Sequence, residues 1–277
     1  MKGPARVIDK LLAAAEILLS GLIIFGAAAP LYLLAKQSIS PELETFAWPP
    51  YWIPHRVTLA HFAAVFAVTE LRGAVLRSLL VATVAGAIAT VLGAMLAYAM
   101  ARSDFARRAG FASLTSVRLL PMISVAIPLG IVLAMIGISD SPSAIGLAIV
   151  HAAIAIPTAG LTLYASFIAI PREVEEAAWM DGASPLRVFL TIDLPLARAA
   201  LATAFILCFI LSWDEFGFAL LLQQTNRTLP PLLYYYTVFG NVGAASAIAL
   251  LMMVPAIGLV IALGPTLRGS SLTGGYR

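Results

Sequence analysis

The chain is poor in charge and almost without cysteine. Of its 277 residues, 11% are charged, whereas a globular domain carries about 25%, and its mean hydropathy is +0.96. A charge deficit of this size excludes a soluble globular domain and indicates an integral membrane protein. The single cysteine, Cys208, lies in an apolar run, which excludes an internal disulfide and a cysteine-based metal cluster.

Lysine is scarce as well, and the positions of the lysines exclude a P-loop nucleotide-binding site. A P-loop needs a Gly-Lys-Ser/Thr step, but Lys2, Lys10 and Lys36 follow Met, Asp and Ala. His55 and His61 have no cysteine nearby and a spacing unsuited to zinc. We therefore predict no catalytic, cofactor or metal site in this chain. The net charge of +3 is spread along the sequence and does not form a nucleic-acid patch.

Six apolar runs are long enough to cross a bilayer, which requires about 20 helical residues. They cover residues 11–35, 78–101, 119–138, 144–170, 199–222 and 244–263. The first run could be a signal peptide, but its length exceeds the usual apolar core of such a segment, and we interpret it as a retained span. The predicted fold is an all-α integral membrane domain over residues 1–277 with six transmembrane helices.

Basic residues indicate the orientation of these spans. With both termini in the cytoplasm, twelve basic residues lie inside and five outside, in accord with the positive-inside rule. The inner set is Lys2, Arg6, Lys10, Arg102, Arg107, Arg108, Arg118, Arg172, Arg187, Arg198, Arg268 and Arg277; the outer set is Lys36, Arg56, Arg72, Arg77 and Arg227. The segment 171–198 between the fourth and fifth spans is then cytoplasmic.

This cytoplasmic segment has the signals of a helix, a sharp turn and a second helix. Pro171 and the acids after it predict a helix over about 172–180. Gly182 permits the left-handed conformation that ends it, and Ser184-Pro185 predicts a second short helix that ends before Leu194-Pro195. The first helix is acidic and carries small residues, so it suits a groove on a protein partner. A helix lying on lipid would carry basic residues instead.

The fifth run contains the only adjacent pair of acids within a predicted span. Asp214 and Glu215, in the sequence Trp213-Asp214-Glu215-Phe216, lie about 22 Å from its inner end at 1.5 Å per residue. Ionisable groups at that depth usually face a watery path or pair with one another. We interpret the four residues as part of a solute path or gate, and a buried structural pair is the alternative. His151 in the fourth run is interpreted as a hydrogen-bonded packing residue.

Prolines and small residues predict kinked, closely packed spans. Pro121, Pro128, Pro157 and Pro255 each remove a helical hydrogen bond. Two pairs of small residues four positions apart, Ala82 with Gly86 and Gly93 with Ala97, permit close contact between helices.

The loop carries a family signature. Seven positions match the fixed residues of the EAA signature of bacterial ABC-importer permeases: Glu176, Ala177, Ala178, Gly182, Ile192, Leu194 and Pro195. Asp181 matches a common variable position. Over nearly the whole chain the sequence resembles the smaller permease of the maltose-type, carbohydrate-importing group, including Tyr98, Arg102 and the tail Leu272 to Gly275. It departs at Ala199, Arg77 and Asp214, where the family often has Pro, Asn and Asn.

The resemblance implies a function and partners. The chain would form half of a sugar path in the bacterial inner membrane, with a second permease, an extracytoplasmic solute-binding protein and two cytosolic ATPases that hold ATP and Mg and dock on the EAA loop. A permease of this architecture for a polyamine, phosphate or other solute is the alternative. A secondary transporter is a further one, but it should show repeated halves, and none is visible.

Overall fold

The computed structural model describes residues 3–269, without the side chains of 3–11, 122–123, 260 and 263–269. The tail motif Leu272 to Gly275, Lys2 and Arg277 lie outside the described residues. The described part is helical, without strands. Its helices are α1 Gly3–Ile39, α2 Glu42–Thr45, α3 Ala60–Ala67, α4 Thr69–Arg102, α5 Asp104–Leu119, α6 Met122–Met135, α7 Ile145–Ile168, α8 Arg172–Met180, α9 Pro185–Val188, a π-helical turn Phe189–Asp193, α10 Leu194–Leu196, α11 Arg198–Trp213, α12 Gly217–Leu222, α13 Leu229–Val238 and α14 Val242–Gly269.

Four of these helices contain segments long and apolar enough to cross a membrane: Leu12–Ile39, Thr69–Arg102, Ile145–Ile168 and Val242–Leu259. Two bent pairs raise the number to six if each pair is one span: Asp104–Leu119 with Ser124–Met135, and Pro185–Leu196 with Arg198–Trp213. The protein is therefore a multi-pass membrane protein with four to six spanning helices.

The chain divides into two compact units. The first consists of Met1–Ala67 and Tyr235–Leu251. In it, the end of α1 is joined to the following loop, because the amide of Thr58 donates to the carbonyl of Ile39 at 2.8 Å and the ring of His61 lies 3.0 Å from the carbonyl of Ser40. The apolar side chains of α1, such as Leu18, are exposed within this unit.

The second unit consists of Val68–Tyr234 and Met252–Arg277, and its core is the packing of α4, α7 and α11. Small residues let these helices approach closely. A methyl group on Gly93 would overlap Ala159 of α7, and one on Gly86 would lie 3.3 Å from the backbone of Phe209 in α11. The predicted small-residue contacts are thus confirmed. Buried alanines, Leu163 and Phe167 fill the remaining space.

The prolines have two different effects. Pro128 and Pro157 lie inside α6 and α7, as expected for a kink. Pro121 instead precedes α6 as its N-terminal cap, because a proline lacks the amide that a helix start leaves unbonded. The expectation of a kink inside a span was wrong for this residue.

Candidate functional site

The first helix of the loop ends in a Schellman motif. Helix α8 covers Arg172–Met180 as predicted, and Gly182 follows it with φ +84°. The amide of Gly182 donates to the carbonyl of Trp179 at 3.0 Å, and that of Ala183 to the carbonyl of Ala178 at 3.0 Å. These are the two bonds that satisfy the last carbonyls of a helix. The sharp turn inferred from Asp181-Gly182 is confirmed.

The second half of the loop begins as predicted but ends later. Ser184 caps α9 by accepting the amide of Arg187 at 3.4 Å, and Pro185 occupies the first turn. The helical path then continues through the π-helical turn and α10 to Leu196 and does not stop before Leu194. Pro195 is tolerated because it lies in the first turn of α10, where its missing amide costs little.

The signature residues separate into an exposed and an anchoring half. Glu176, Ala177, Asp181 and Gly182 are exposed and Ala178 is half-buried. Ile192 and Leu194 are half-buried, and Leu194 packs on the core of α4, α7 and α11, while Pro195 is exposed. Beside the exposed half, Met180 is 88% exposed and Leu186 67%. A polar loop with large exposed apolar side chains offers a surface to a protein partner.

A buried ionic cluster attaches this loop to the end of α4. Arg102, the last residue of α4, bonds through its guanidinium to a carboxylate oxygen of Glu175 in α8, and its Nη1 donates to the carbonyl of Phe167 in α7 at 3.1 Å. Oδ1 of Asp193 lies 3.9 Å from Nη2 of the same guanidinium. Glu175 is 1% exposed and Asp193 is fully buried. One cation thus faces two buried acids.

The pKa of Asp193 follows from this environment. Burial raises it most, the charge of Glu175 raises it further, and the guanidinium of Arg102 lowers it less, so that it reaches about 6. Sequence reasoning missed this cluster. The available signal was an acid, Asp193, inside the otherwise apolar stretch from Phe189 to Leu194.

The fifth predicted span is broken at the acids. Helix α11 ends at Trp213 and α12 begins at Gly217. Asp214 closes α11, and its amide donates to the carbonyl of Ile210 at 3.0 Å. Glu215 caps α12, because its carboxylate oxygens accept the amides of Phe218 at 3.0 Å and Ala219 at 3.1 Å. A carboxylate there complements the positive end of the helix.

His151 of α7 completes the surroundings of Glu215. Its Nε2 lies 3.1 Å from Oε2 of Glu215, within ion-pairing distance although not in hydrogen-bond geometry, and its Nδ1 lies 2.8 Å from Oγ of Ser212. The ring is 1% exposed. The interpretation of His151 as a hydrogen-bonded packing residue is confirmed.

The other residues around the break differ in exposure. Trp213 is buried, donates from Nε1 to the carbonyl of Met252 at 2.9 Å, and stacks on Phe209. Phe216 is 38% exposed and contacts the ring of Tyr234. Asp214 is exposed. The break therefore presents one carboxylate outward and holds the other inside.

A second network, which the sequence did not predict, fixes the loop after α12. Asp140 accepts the amides of Thr225 at 2.9 Å and Asn226 at 3.0 Å. Burial alone would raise the pKa of Asp140, but these hydrogen bonds outweigh it and lower the pKa. Asp140 also borders a cavity of about 440 Å³ between α6 and α12. Arg77 and Arg227 meet in the same region, where Nε of Arg77 donates to the carbonyl of Arg227 at 2.9 Å.

Comparison with known proteins gives the family. Residues 89–264, more than half of the chain, match the family described as "Binding-protein-dependent transport system inner membrane component". The chain is 31% identical over 256 residues to the inner membrane ABC transporter permease protein YcjP of Escherichia coli, covering 89% of each chain. It is 34% identical over 216 residues to the trehalose transport system permease protein SugB of Mycobacterium tuberculosis, covering 76% of this chain and 78% of that one.

A solved structure shares the fold. A chain of a bacterial ABC transporter involved in the import of the acidic polysaccharide alginate superposes with a TM-score of 0.73 at 20% identity, covering 95% of this chain and 98% of that one. The resemblance drawn from the EAA signature is confirmed at the level of the family. The chain belongs to the family of binding-protein-dependent transport system inner membrane components, the permease subunits of ABC transporters.

Proposed function

We propose that the chain is the transmembrane subunit of an ATP-driven importer and forms half of the path for a sugar or sugar-like solute. The family membership and the 34% identity to a trehalose permease support this proposal. Six spans with both termini in the cytoplasm agree with the charge count, and six is the upper number of spanning helices by length and composition.

The observation that carries the proposal is the shape of the loop after α7. Its first helix and turn contain Glu176, Ala177, Ala178, Asp181 and Gly182. The side chain of Met180 beside them is 88% exposed. This surface would seat in a groove of a cytosolic ATPase subunit. Ile192, Leu194 and Pro195 would form the anchored side of the same site. Two ATPases, a second permease and an extracytoplasmic binding protein complete the assembly that we propose.

Closure of the ATPases on ATP would then move the loop, and the loop would move the spans. Arg102 contacts both α7 and α8, so displacement of the loop would reach two core helices as a rigid-body motion. The break at Trp213 to Phe216 would border the solute path. Asp214 is exposed there, and a sugar is recognised through hydrogen bonds to its hydroxyl groups.

The first experiment tests the docking surface. A cysteine at Ala178 or Met180, in a Cys208→Ala background, should crosslink to a co-expressed ATPase subunit, whereas a cysteine at Ser113 in the neighbouring cytoplasmic segment serves as control. Crosslinks from the loop to lipid alone would contradict the assignment. Labelling of the Ser113 cysteine from outside intact cells by an impermeant reagent would overturn the topology.

The second experiment tests the solute class. The binding protein that co-purifies with the complex should hold a mono- or oligosaccharide, identified by mass spectrometry after denaturation. A polyamine or phosphate in that protein would refute the sugar assignment and leave the importer assignment intact.

A further inference from the structure

The buried cluster at the base of the docking loop lacks one positive charge and several hydrogen-bond donors. Arg102 is its single cation, against Glu175 and Asp193. Within the described part of the chain, Oε2 of Glu175 and both carboxylate oxygens of Asp193 are buried without a hydrogen-bond partner. Buried polar atoms are normally bonded, and an uncompensated buried charge is strongly destabilising. Something that the cluster binds must supply the missing charge.

A proton suits this site better than a metal ion does. The guanidinium of Arg102 already lies against both acids and would repel a second cation. Two carboxylates side by side in a buried site cannot both ionise without cost, and they commonly hold one proton between them. A protonated Asp193 would donate a hydrogen bond to Oε2 of Glu175. One oxygen of Asp193 and Oε2 of Glu175 would then be bonded, which leaves one of the three oxygens without a partner.

We propose that Glu175 and Asp193 hold one proton between them, and that Asp193 is a positioning residue through which this proton fixes the docking loop to the end of α4. The proposal deepens the proposed function and rests on it, because the loop matters for transport only if it docks on the ATPase. Asp193 acts here through Glu175 and Arg102.

Each helix around the cluster contributes groups to its charge balance. Helix α4 contributes Arg102 and Tyr98, whose ring lies 5.7 Å from the guanidinium carbon. Helix α7 contributes the carbonyl of Phe167 and the turn after it that of Ile170, and both accept from Arg102. Helix α8 contributes Glu175, and the π-helical turn contributes Asp193 and the ring of Phe189 against Tyr98. Arg102 is thus the one permanent positive charge among these groups.

The sign of the pH dependence follows from the raised pKa of Asp193. Between the ordinary value near 4 and the raised value of about 6, the folded chain holds the proton and the unfolded chain does not. Stability from this proton is fully present near pH 4 and is lost as the pH rises through about 6. Above that pH two adjacent carboxylates repel each other and the loop loosens.

The experiment uses the full transporter complex in detergent and in proteoliposomes. The melting temperature of the parental complex should fall by on the order of 4 °C between pH 4.5 and 7.5, and its ATPase rate should show a step near pH 6. In Asp193→Asn, whose amide donates to Glu175 at every pH, both changes should disappear. Infrared difference spectra of parent against Asp193→Asn at pH 5 should show the band of a protonated carboxyl group.

Controls separate this proposal from general damage. Glu173→Gln removes an exposed acid from the same helix and should keep the parental pH profile. Glu175→Gln is the second variant should Asp193→Asn fail to fold, and it too should abolish the step. A step that persists in both variants, or an absent carboxyl band, overturns the proposal. If the carboxyl band and the pH-dependent melting temperature are found but the ATPase rate shows no step, the positioning role is refuted. The docking assignment is then decided separately by the crosslinking experiment.

Discussion

Two glutamates of the same unit, the half-buried Glu215 and the buried Glu175, have opposite surroundings. Glu215, at the break between α11 and α12, receives two backbone amides and faces His151 at 3.1 Å. Glu175, in α8, shares one guanidinium with Asp193, and its second oxygen has no donor. The difference shows that backbone amides at a helix start, together with one nearby ring, can satisfy a carboxylate, whereas a buried side-chain cluster does so only when its charges balance.

Removal of Arg102 should cause the largest loss of stability among these substitutions. Arg102→Met keeps an unbranched apolar stem but leaves Glu175 and Asp193 buried without their cation. We expect a loss of about 3–5 kcal/mol in stability, seen as a failure to accumulate in the membrane. Arg107→Met, which removes an exposed ion pair with Asp104, is the control and should accumulate normally. Equal accumulation of both variants would contradict the importance of the cluster.

Truncation of Glu215 should come second. Glu215→Ala leaves the first amides of α12 unbonded and removes the partner of His151, at a cost of about 2 kcal/mol. Thermal unfolding of the purified complex measures the loss. Glu215→Gln retains an acceptor and should lose less. If alanine and glutamine variants unfold together at the parental temperature, the capping role is wrong.

Substitution of Gly182 should destabilise the loop without unfolding the protein. In Gly182→Val a branched side chain must adopt φ +84°, at a cost of about 1–2 kcal/mol, although no atom lies within 4 Å of the added carbon. The expected result is normal insertion with ATP hydrolysis uncoupled from uptake. Gly137→Val, at φ +74° in the loop after α6, is the matched control and should remain coupled.

Asp214→Asn should have the smallest effect on stability. The side chain is exposed, so we expect a change of less than 0.5 kcal/mol. If Asp214 borders the path, the transport rate or solute preference should nevertheless change, since a charge is replaced by an amide. Competition between solutes in proteoliposomes measures this. Parental transport over a range of concentrations would instead support a purely structural break.

Local signals were sufficient for the first part of the loop over residues 171–198. Pro171, Gly182 and Ser184 each act through the backbone of their own neighbourhood, and α8, the left-handed turn and the cap all formed where the sequence predicted them. The break after Trp213 was not predicted. An apolar run of 24 residues predicts one helix. The hydrogen bonds from the amides of Phe218 and Ala219 show instead that Glu215 caps a new one.

The sequence by itself determined the membrane class, the family signature and the local form of the loop, because composition, periodicity and turn chemistry depend on residues close in the chain. The tertiary structure alone decided which acids meet a partner from another helix. Arg102, Glu175 and Asp193 lie 73 and 18 residues apart along the chain, and His151 meets Glu215 from another helix. Charge balance in a buried site depends on distances between helices, which no local pattern specifies.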